Sequence, residues 1–251
     1  QTLKQWIVGD ECRLIALTGM AGIGKSCVAV KLARQLQHKF DCLIWRSLRY
    51  TPSLSEFLTK LIRILPHQQQ TELPDNTGQQ ISQFIKHLQS FRCLLIIDDV
   101  QTIMEGQKIA GHYHQEHENY RYLFETIGES SHQSCLLLNS REKPIEITSL
   151  EGLALPVRSL QIGSLEIDAK KIVTSAKKLT GSEEYLTKLI QLYSGNPAAL
   201  KIVTTTIQEL FSGDLVEYLT SDELFLGDIL EKTLKEQFQR LSDGEQKLCI
   251  G

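Results

Sequence analysis

The sequence predicts an α/β fold, a doubly wound parallel sheet followed by a small all-helical domain, and three observations predict it. Apolar residues run unbroken at 14–17, 43–45, 94–97 and 135–138, as in strands buried on both faces. Between these runs lie segments whose apolar residues recur every three or four positions, and strands separated by helices pair in parallel. After Gly163 the strand pattern stops and only helical periodicity remains. The 251 residues, 41% apolar and 23% charged, suffice for such a core and allow one to two domains.

Each element has a local reason. Strand 14–17 runs into a glycine-rich turn and a helix at 26–37 with Val28, Val30, Leu32, Ala33 and Leu36 at its apolar positions. After strand 43–45, Ser53 opens a helix with Glu56 completing a capping box, and Leu54, Phe57, Leu58, Leu61 and Ile62 follow at helical spacing. The polar stretch 67–78 reads as a solvated loop, and a helix follows at 81–88. Tyr113, Tyr120, Tyr122 and Phe124 are expected to begin a helix covering the sheet, and a fifth strand is expected near 153–160. In the helical part Ser164 can cap a helix with Glu166 and Asp168 in its first turn, which Gly181 ends. Ser182 starts the next, and Gly195 closes it. Asn196 and Pro197 then supply an N-cap and a first-position proline for a helix to about Phe211. A further helix is expected near 228–241, with Ser242 and Glu245 as a second capping box. The expected boundaries are 1–162, 163–242 and the beginning of a third unit at 243–251.

Composition excludes several functions. The apolar runs are too short to span a bilayer, and a net charge of −3 gives no general attraction to phosphate backbones or anionic membranes. Arg46 and Arg49 alternate with Trp45 and Tyr50, but neighbouring acids argue against a nucleic-acid stripe. Cysteines 12, 27, 42, 93, 135 and 249 show no C-x-x-C spacing, as expected of reduced thiols in a cytoplasmic protein. His112, His114 and His117 with Glu116 offer three nitrogens, yet they sit in a polar segment with no supporting pattern, and no metal site is expected there. Beginning at Gln1, the chain is expected to be a piece of a longer protein.

The strongest chemical signal is Gly19-Met20-Ala21-Gly22-Ile23-Gly24-Lys25-Ser26, a G-x-x-x-x-G-K-[ST] match between a buried strand and a helix. Glycines let successive amides curl around phosphate oxygens, and the helix N-terminus adds its positive end. Lys25 can reach the β- and γ-phosphates, and the Ser26 hydroxyl is a hard ligand for Mg²⁺. The phosphate-binding set is read as Gly19 to Ser26 with the following Cys27. The run Leu94-Leu-Ile-Ile-Asp98-Asp99 places two carboxylates at the C-terminal end of a strand, where ligands gather in doubly wound sheets. Asp98 is then the carboxylate on the magnesium side, and Asp99 is expected to point toward the γ-phosphate. Arg141, after the strand at 135–138, emerges at the same edge and can sense that phosphate or stabilise transition-state charge.

The order and spacing of GMAGIGKS (19–26), FDCLIWRSL (40–48), LLIIDDV (94–100), CLLLNSRE (135–142) and SGNPAAL (194–200) resembles the NB-ARC group of STAND signal-transduction ATPases. The chain is most similar to bacterial, particularly cyanobacterial, forms with a winged-helix domain and C-terminal WD-type or other repeats. The resemblance covers nearly the whole chain. It implies a P-loop NTPase sheet of five strands in the order 5-1-4-3-2, an ARC1-like helical domain at 163–242, and a winged-helix domain beginning at 243–251. It also implies ATP or ADP with magnesium as ligands, Ser26 and Asp98 at the metal, and Arg141 as first sensor. Gly195 and Pro197 match the G-x-P motif, with Pro197 packed on the adenine. Read locally, Pro197 is only a helix start. A family segment enclosing the adenine is expected to precede Gln1, and the histidine that reads the β-phosphate of ADP to follow Gly251. Without a glutamate at position 99, hydrolysis is expected to be slow.

The resemblance implies a cytoplasmic nucleotide-controlled switch that oligomerises with itself and works with effector and sensor domains of the full-length chain. Two alternatives stay open. One is an AAA+-like ATP-driven motor or loader acting on a polymer. The other is a small-molecule kinase, although 143–160 shows no arginine-bearing lid.

Overall fold

Five parallel strands make one sheet in the computed structural model, in the order β2-β3-β4-β1-β5. They are β1 (Leu14–Thr18), β2 (Cys42–Ser47), β3 (Cys93–Asp98), β4 (Cys135–Ser140) and β5 (Val157–Gln161). Read from the other edge this is the expected 5-1-4-3-2. The structure describes residues 1–65, 74, 76–106, 111–152, 155–163, 166–175, 179–221, 232, 235 and 238–240.

The chain divides into two compact units, Gln1–Thr18 with Lys25–Gln161, and Gly19–Gly24 with Ile162–Gly251. The first opens with α1 (Thr2–Lys4) and a π-helical turn, Gln5–Gly9, before β1. Its sheet is buried on both faces, as the unbroken apolar runs require. On one face Leu14, Ala16, Leu95, Ile97, Leu136 and Leu138 join a core with α3 (Leu54–Ile62), α4 (Thr77–Ser90) and α5 (Asn119–Glu129). On the other, Ile15, Leu17, Leu94, Ile96 and Leu137 are equally buried, and α2 (Lys25–Leu36) packs on β3 and β4. The short helix α6 (Ile145–Leu150) packs on α5 and β5.

Several local expectations change. Ser53 caps α3 by accepting from the Glu56 amide at 3.3 Å, but the Glu56 carboxylate accepts from Lys60 at 2.5 Å, one turn on. Helix α4 starts at Thr77 because Asn76 Oδ1 accepts from the amides of Gly78 (2.8 Å) and Gln79 (3.3 Å), so 77 and 78 are helical rather than loop. The rest of 67–78 lies outside the described residues, save 74 and 76. The fifth strand begins after Pro156, which lacks an N–H for the ladder and instead accepts from the Arg13 amide at 2.8 Å. Tyr113 stands before α5, in a bridge with Met104, and donates its hydroxyl to Glu146 Oε1 at 2.5 Å.

In the second unit, α7 (Glu166–Ser175), α8 (Glu183–Leu192), α9 (Pro197–Leu210) and α10 (Leu215–Thr220) share a core of Ala169, Val173, Leu189, Leu200, Val203, Ile207 and Leu215. The Tyr193 and Tyr218 hydroxyls are hydrogen-bonded to each other within it. Gly181 follows the bridge of Thr180 with Asp214, and 176–178, between it and the described part of α7, lie outside the described residues. Ser182 occupies the N-cap of α8 without a side-chain bond. Ser194 and Gly195, both at positive φ (49° and 61°), turn the chain out of α8, and the Gly195 amide donates to the Ile190 carbonyl at 2.8 Å. Ser164, most of the helix expected at 228–241, the Ser242–Glu245 box and 243–251 lie outside the described residues. No helix among the described residues is long and apolar enough to cross a membrane.

Glu146 is wholly buried, and burial pushes its carboxyl up to about 7. Its Oε2 has no hydrogen-bond partner. Because the folded value lies above the ordinary 4.5, the fold gains from the neutral acid at low pH and loses that gain as pH rises from about 4.5 to about 7. Chemical denaturation should show a loss of roughly 3 kcal/mol across that window. In Glu146→Gln the slope should disappear.

Candidate functional site

In the first unit the C-terminal edge of the sheet carries five of the predicted side chains. Lys25 and Ser26 open α2, whose first turn contains no acid to neutralise the positive end of the helix. Ser26 donates its hydroxyl to Asp98 Oδ2 at 2.9 Å, although 72 positions separate them. Parallel pairing explains the meeting. All five strands end at one edge, so the last residue of β3 arrives beside the start of the helix that follows β1.

Asp98 and Asp99 take different paths. Asp99 adopts the left-handed region (φ 60°, ψ 34°), a conformation Asp tolerates better than most residues. Its carboxylate accepts from Ser47 Oγ at 2.8 Å and pairs with Arg49 Nε at 3.4 Å. The left-handed step delivers its carboxylate to the end of β2, from where its charge also acts on Lys25. Arg141 follows β4 directly, and its amide donates to Gln101 Oε1 at 3.2 Å. Ser47, Arg49 and Gln101 were not singled out for this site in the sequence. Arg49 carried a signal only as a basic residue among aromatics.

Burial, and then the Arg141 cation, push Lys25 down to about 8, against the attraction of Asp98 and Asp99. A lysine so placed loses hydration without full compensation, and an anion between it and Arg141 would restore the balance. The Ser26 hydroxyl and Asp98 carboxylate are hard oxygen donors already together, a set that fits a magnesium ion. Asn139, within β4, is fully buried, and neither its amide nitrogen nor its oxygen has a hydrogen-bond partner. Its signal in the sequence was a polar residue directly after the apolar run 135–138. Cys27 is exposed on α2. His117 is buried edge-on against Tyr120, with ring centres 6.1 Å apart.

The loop Gly19–Gly24 belongs with the second unit. Ile23 donates its amide to the Met20 carbonyl at 3.3 Å, which closes the turn. Gly22 has φ of 75°, and a Cβ there would stand 2.6 Å from Ala198 Cβ, so only glycine fits. Gly24, at φ of 105°, likewise needs glycine's backbone freedom. Asn196 holds this segment. Its Oδ1 caps α9 through the amides of Ala198 (3.1 Å) and Ala199 (3.2 Å), while its Nδ2 donates to the Ala21 carbonyl at 2.8 Å. The Ala198 amide also lies 3.3 Å from the Gly22 carbonyl. Gly195 and Pro197, expected to contact a ligand, flank the residue that makes these bonds, with Pro197 at the first position of α9. The sequence marked Asn196 as a cap, but nothing local could disclose a partner 175 positions away.

The family model of the NB-ARC domain matches residues 1–152. An uncharacterized WD repeat-containing protein of Nostoc sp. (strain PCC 7120) is 39% identical over 98% of this chain. The disease resistance protein RGA5 of Oryza sativa subsp. japonica is 29% identical over 38% of it. The chain spans only 20% of the Nostoc protein and the RGA5 match only 9% of the rice protein. Among solved structures, the Walker-type ATPase of Pyrococcus abyssi is similar with a TM-score of 0.53 at 13% identity, covering 94% of this chain and 70% of that one. Cdc6p of Pyrobaculum aerophilum gives 0.55 at 11% identity, covering 85% and 62%. At such identities these two show the fold alone.

Two outcomes test the arrangement. An anion at Lys25 should raise its pKa, so binding of a phosphate ligand at pH 8 should take up a proton, and affinity should weaken as pH rises past about 8. Calorimetry in buffers of different ionisation enthalpy measures that uptake. Asn196→Ala should destabilise the second unit by about 1 kcal/mol through the lost cap, with faster hydrogen exchange at Ala198 and Ala199.

Proposed function

The chain belongs to the NB-ARC family, and from that premise we propose that it binds ATP and ADP with magnesium as the nucleotide-controlled switch of a longer, multidomain, cytoplasmic protein. The observation that carries this reading is Lys25, pushed down to about 8 at the N-terminus of α2 beside the Arg141 cation, with the Ser26–Asp98 pair next to it. Such a combination suits a polyphosphate with its metal better than any neutral ligand.

In this reading the backbone amides of 19–27 cradle the phosphates, and Lys25 contacts the β- and γ-phosphates. Ser26 and Asp98 would hold magnesium, which when bound neutralises charge on the β- and γ-oxygens. Arg141 reads the γ-phosphate. Asp99, engaged by Ser47 and Arg49, orders the end of β2 and adds negative charge opposite Lys25, so slow hydrolysis is the corresponding proposal. Gly195 and Pro197 are proposed to meet the adenine. The proposed division is a nucleotide-binding domain at 1–162, a helical domain at 163–242 and a winged-helix domain beginning at 243–251.

ATP and ADP would favour different states because only ATP supplies the γ-phosphate for Arg141, and a ligand shifts an equilibrium only through such a difference in contacts. Self-association in the ATP state, with repeats and effector domains elsewhere in the chain, completes the proposal. The WD repeats named in the Nostoc relative support a sensor of that kind.

The test is to denature the purified protein and identify the nucleotide it releases. Retained ADP is the expected result. A nucleotide-free protein that hydrolyses ATP quickly, stimulated by a polymer, would favour the motor reading. Lys25→Ala should weaken ATP binding at least about tenfold through loss of charge-assisted phosphate contacts. Unchanged affinity would overturn the site.

A further inference from the structure

Strands β2 and β3 pair in register, and their first residues, Cys42 and Cys93, are partners across the ladder. The two Sγ atoms share a hydrogen bond at 2.8 Å. A disulfide bond is about 2.0 Å long, so joining them needs a movement under about 1 Å. No other pair among the described cysteines shares a hydrogen bond, and Cys12 and Cys135 are both buried.

The two thiols differ in environment. Cys93 is wholly buried in the core beneath α3, α4 and α5. Its amide donates to Ser134 Oγ at 2.9 Å, and that hydroxyl lies within hydrogen-bond distance of the Leu88 and Phe91 carbonyls, which fixes the position of the strand. Cys42 is half-buried on β2, the edge strand, within reach of solvent. The hydrogen bond shared with Cys93 lowers the Cys42 thiol, against burial and the charge of Asp41. Cys93 is pushed up, first by that hydrogen bond to Cys42 and then by its own burial.

We propose that Cys42 and Cys93 are a peroxide-sensitive thiol pair in which Cys42 is oxidised first and Cys93 resolves it, clamping the edge strand covalently to the sheet. The Cys42 thiolate attacks one oxygen of hydrogen peroxide, the O–O bond breaks, and the departing hydroxide takes a proton to leave as water. Cys42 is then a sulfenic acid. The Cys93 sulfur attacks the Cys42 sulfur, the S–O bond breaks, and hydroxide leaves with the Cys93 proton as a second water. Two thiols and one peroxide thus give one disulfide and two waters, and a thiol reductant reverses the change. The pair lies at the opposite end of β3 from Asp98, so this inference is independent of the proposed nucleotide site.

The experiment exposes the reduced chain to stoichiometric hydrogen peroxide, alkylates the remaining thiols and maps the peptides. The Cys42 and Cys93 peptides should appear joined, lighter by two hydrogens, and dithiothreitol should restore both thiols. Recovery of both as alkylated thiols, or a sulfinic acid at Cys42 with Cys93 free, would overturn the proposal. In Cys93→Ser, dimedone should trap a sulfenic acid at Cys42. In Cys42→Ser, Cys93 should resist the same dose. Oxidation of Cys93 there at the wild-type rate would reject Cys42 as the first site.

Discussion

A lysine partly withdrawn from water and placed close to an arginine is an unpaid electrostatic cost, and much of the nucleotide edge is arranged around it. Burial and Arg141 both disfavour charge on Lys25, and Asp98 and Asp99 offset only part of that. Burial is the larger part of that cost, and the proposed polyphosphate with its metal would offset it.

That edge exists because the sheet is wholly parallel. Parallel pairing sends every strand end to one side, so residues far apart in sequence converge without any long-range recognition of their own. Ser26 and Asp98 meet in this way, and Arg141 follows the strand between them in the order of the sheet. The price of the arrangement is that the strands must be apolar on both faces, which explains why the few polar groups inside are so exposed energetically. Asn139 has an unpartnered amide within β4, and burial pushes the Glu146 carboxyl up against the opposing hydrogen bond from the Tyr113 hydroxyl.

Strand β3 connects these themes. One end pairs with Ser26 through Asp98, and the other brings Cys93 to Cys42. Four residues of β3 thus lie between a proposed magnesium ligand and a proposed redox pair. Their chemistry differs because the C-terminal edge is polar, whereas Cys93 sits in the apolar core.

The sequence by itself determined the class of fold, the strand order through family resemblance, and the glycines, lysine and serine of the loop, because apolar periodicity and rare backbone conformations are local properties. It also marked Asn196 and Pro197 as the opening of a helix, for the same reason. Tertiary structure alone decided which way each acid faces. Asp98 and Asp99 are adjacent and chemically identical, yet a left-handed step sends the second to Ser47 and Arg49. It decided too that Asn196 reaches Ala21, that Gly22 meets Ala198, and that Cys42 lies against Cys93. Each of these depends on register and packing between segments distant in the chain, and a one-residue shift of a strand would reverse the face on which such a side chain emerges.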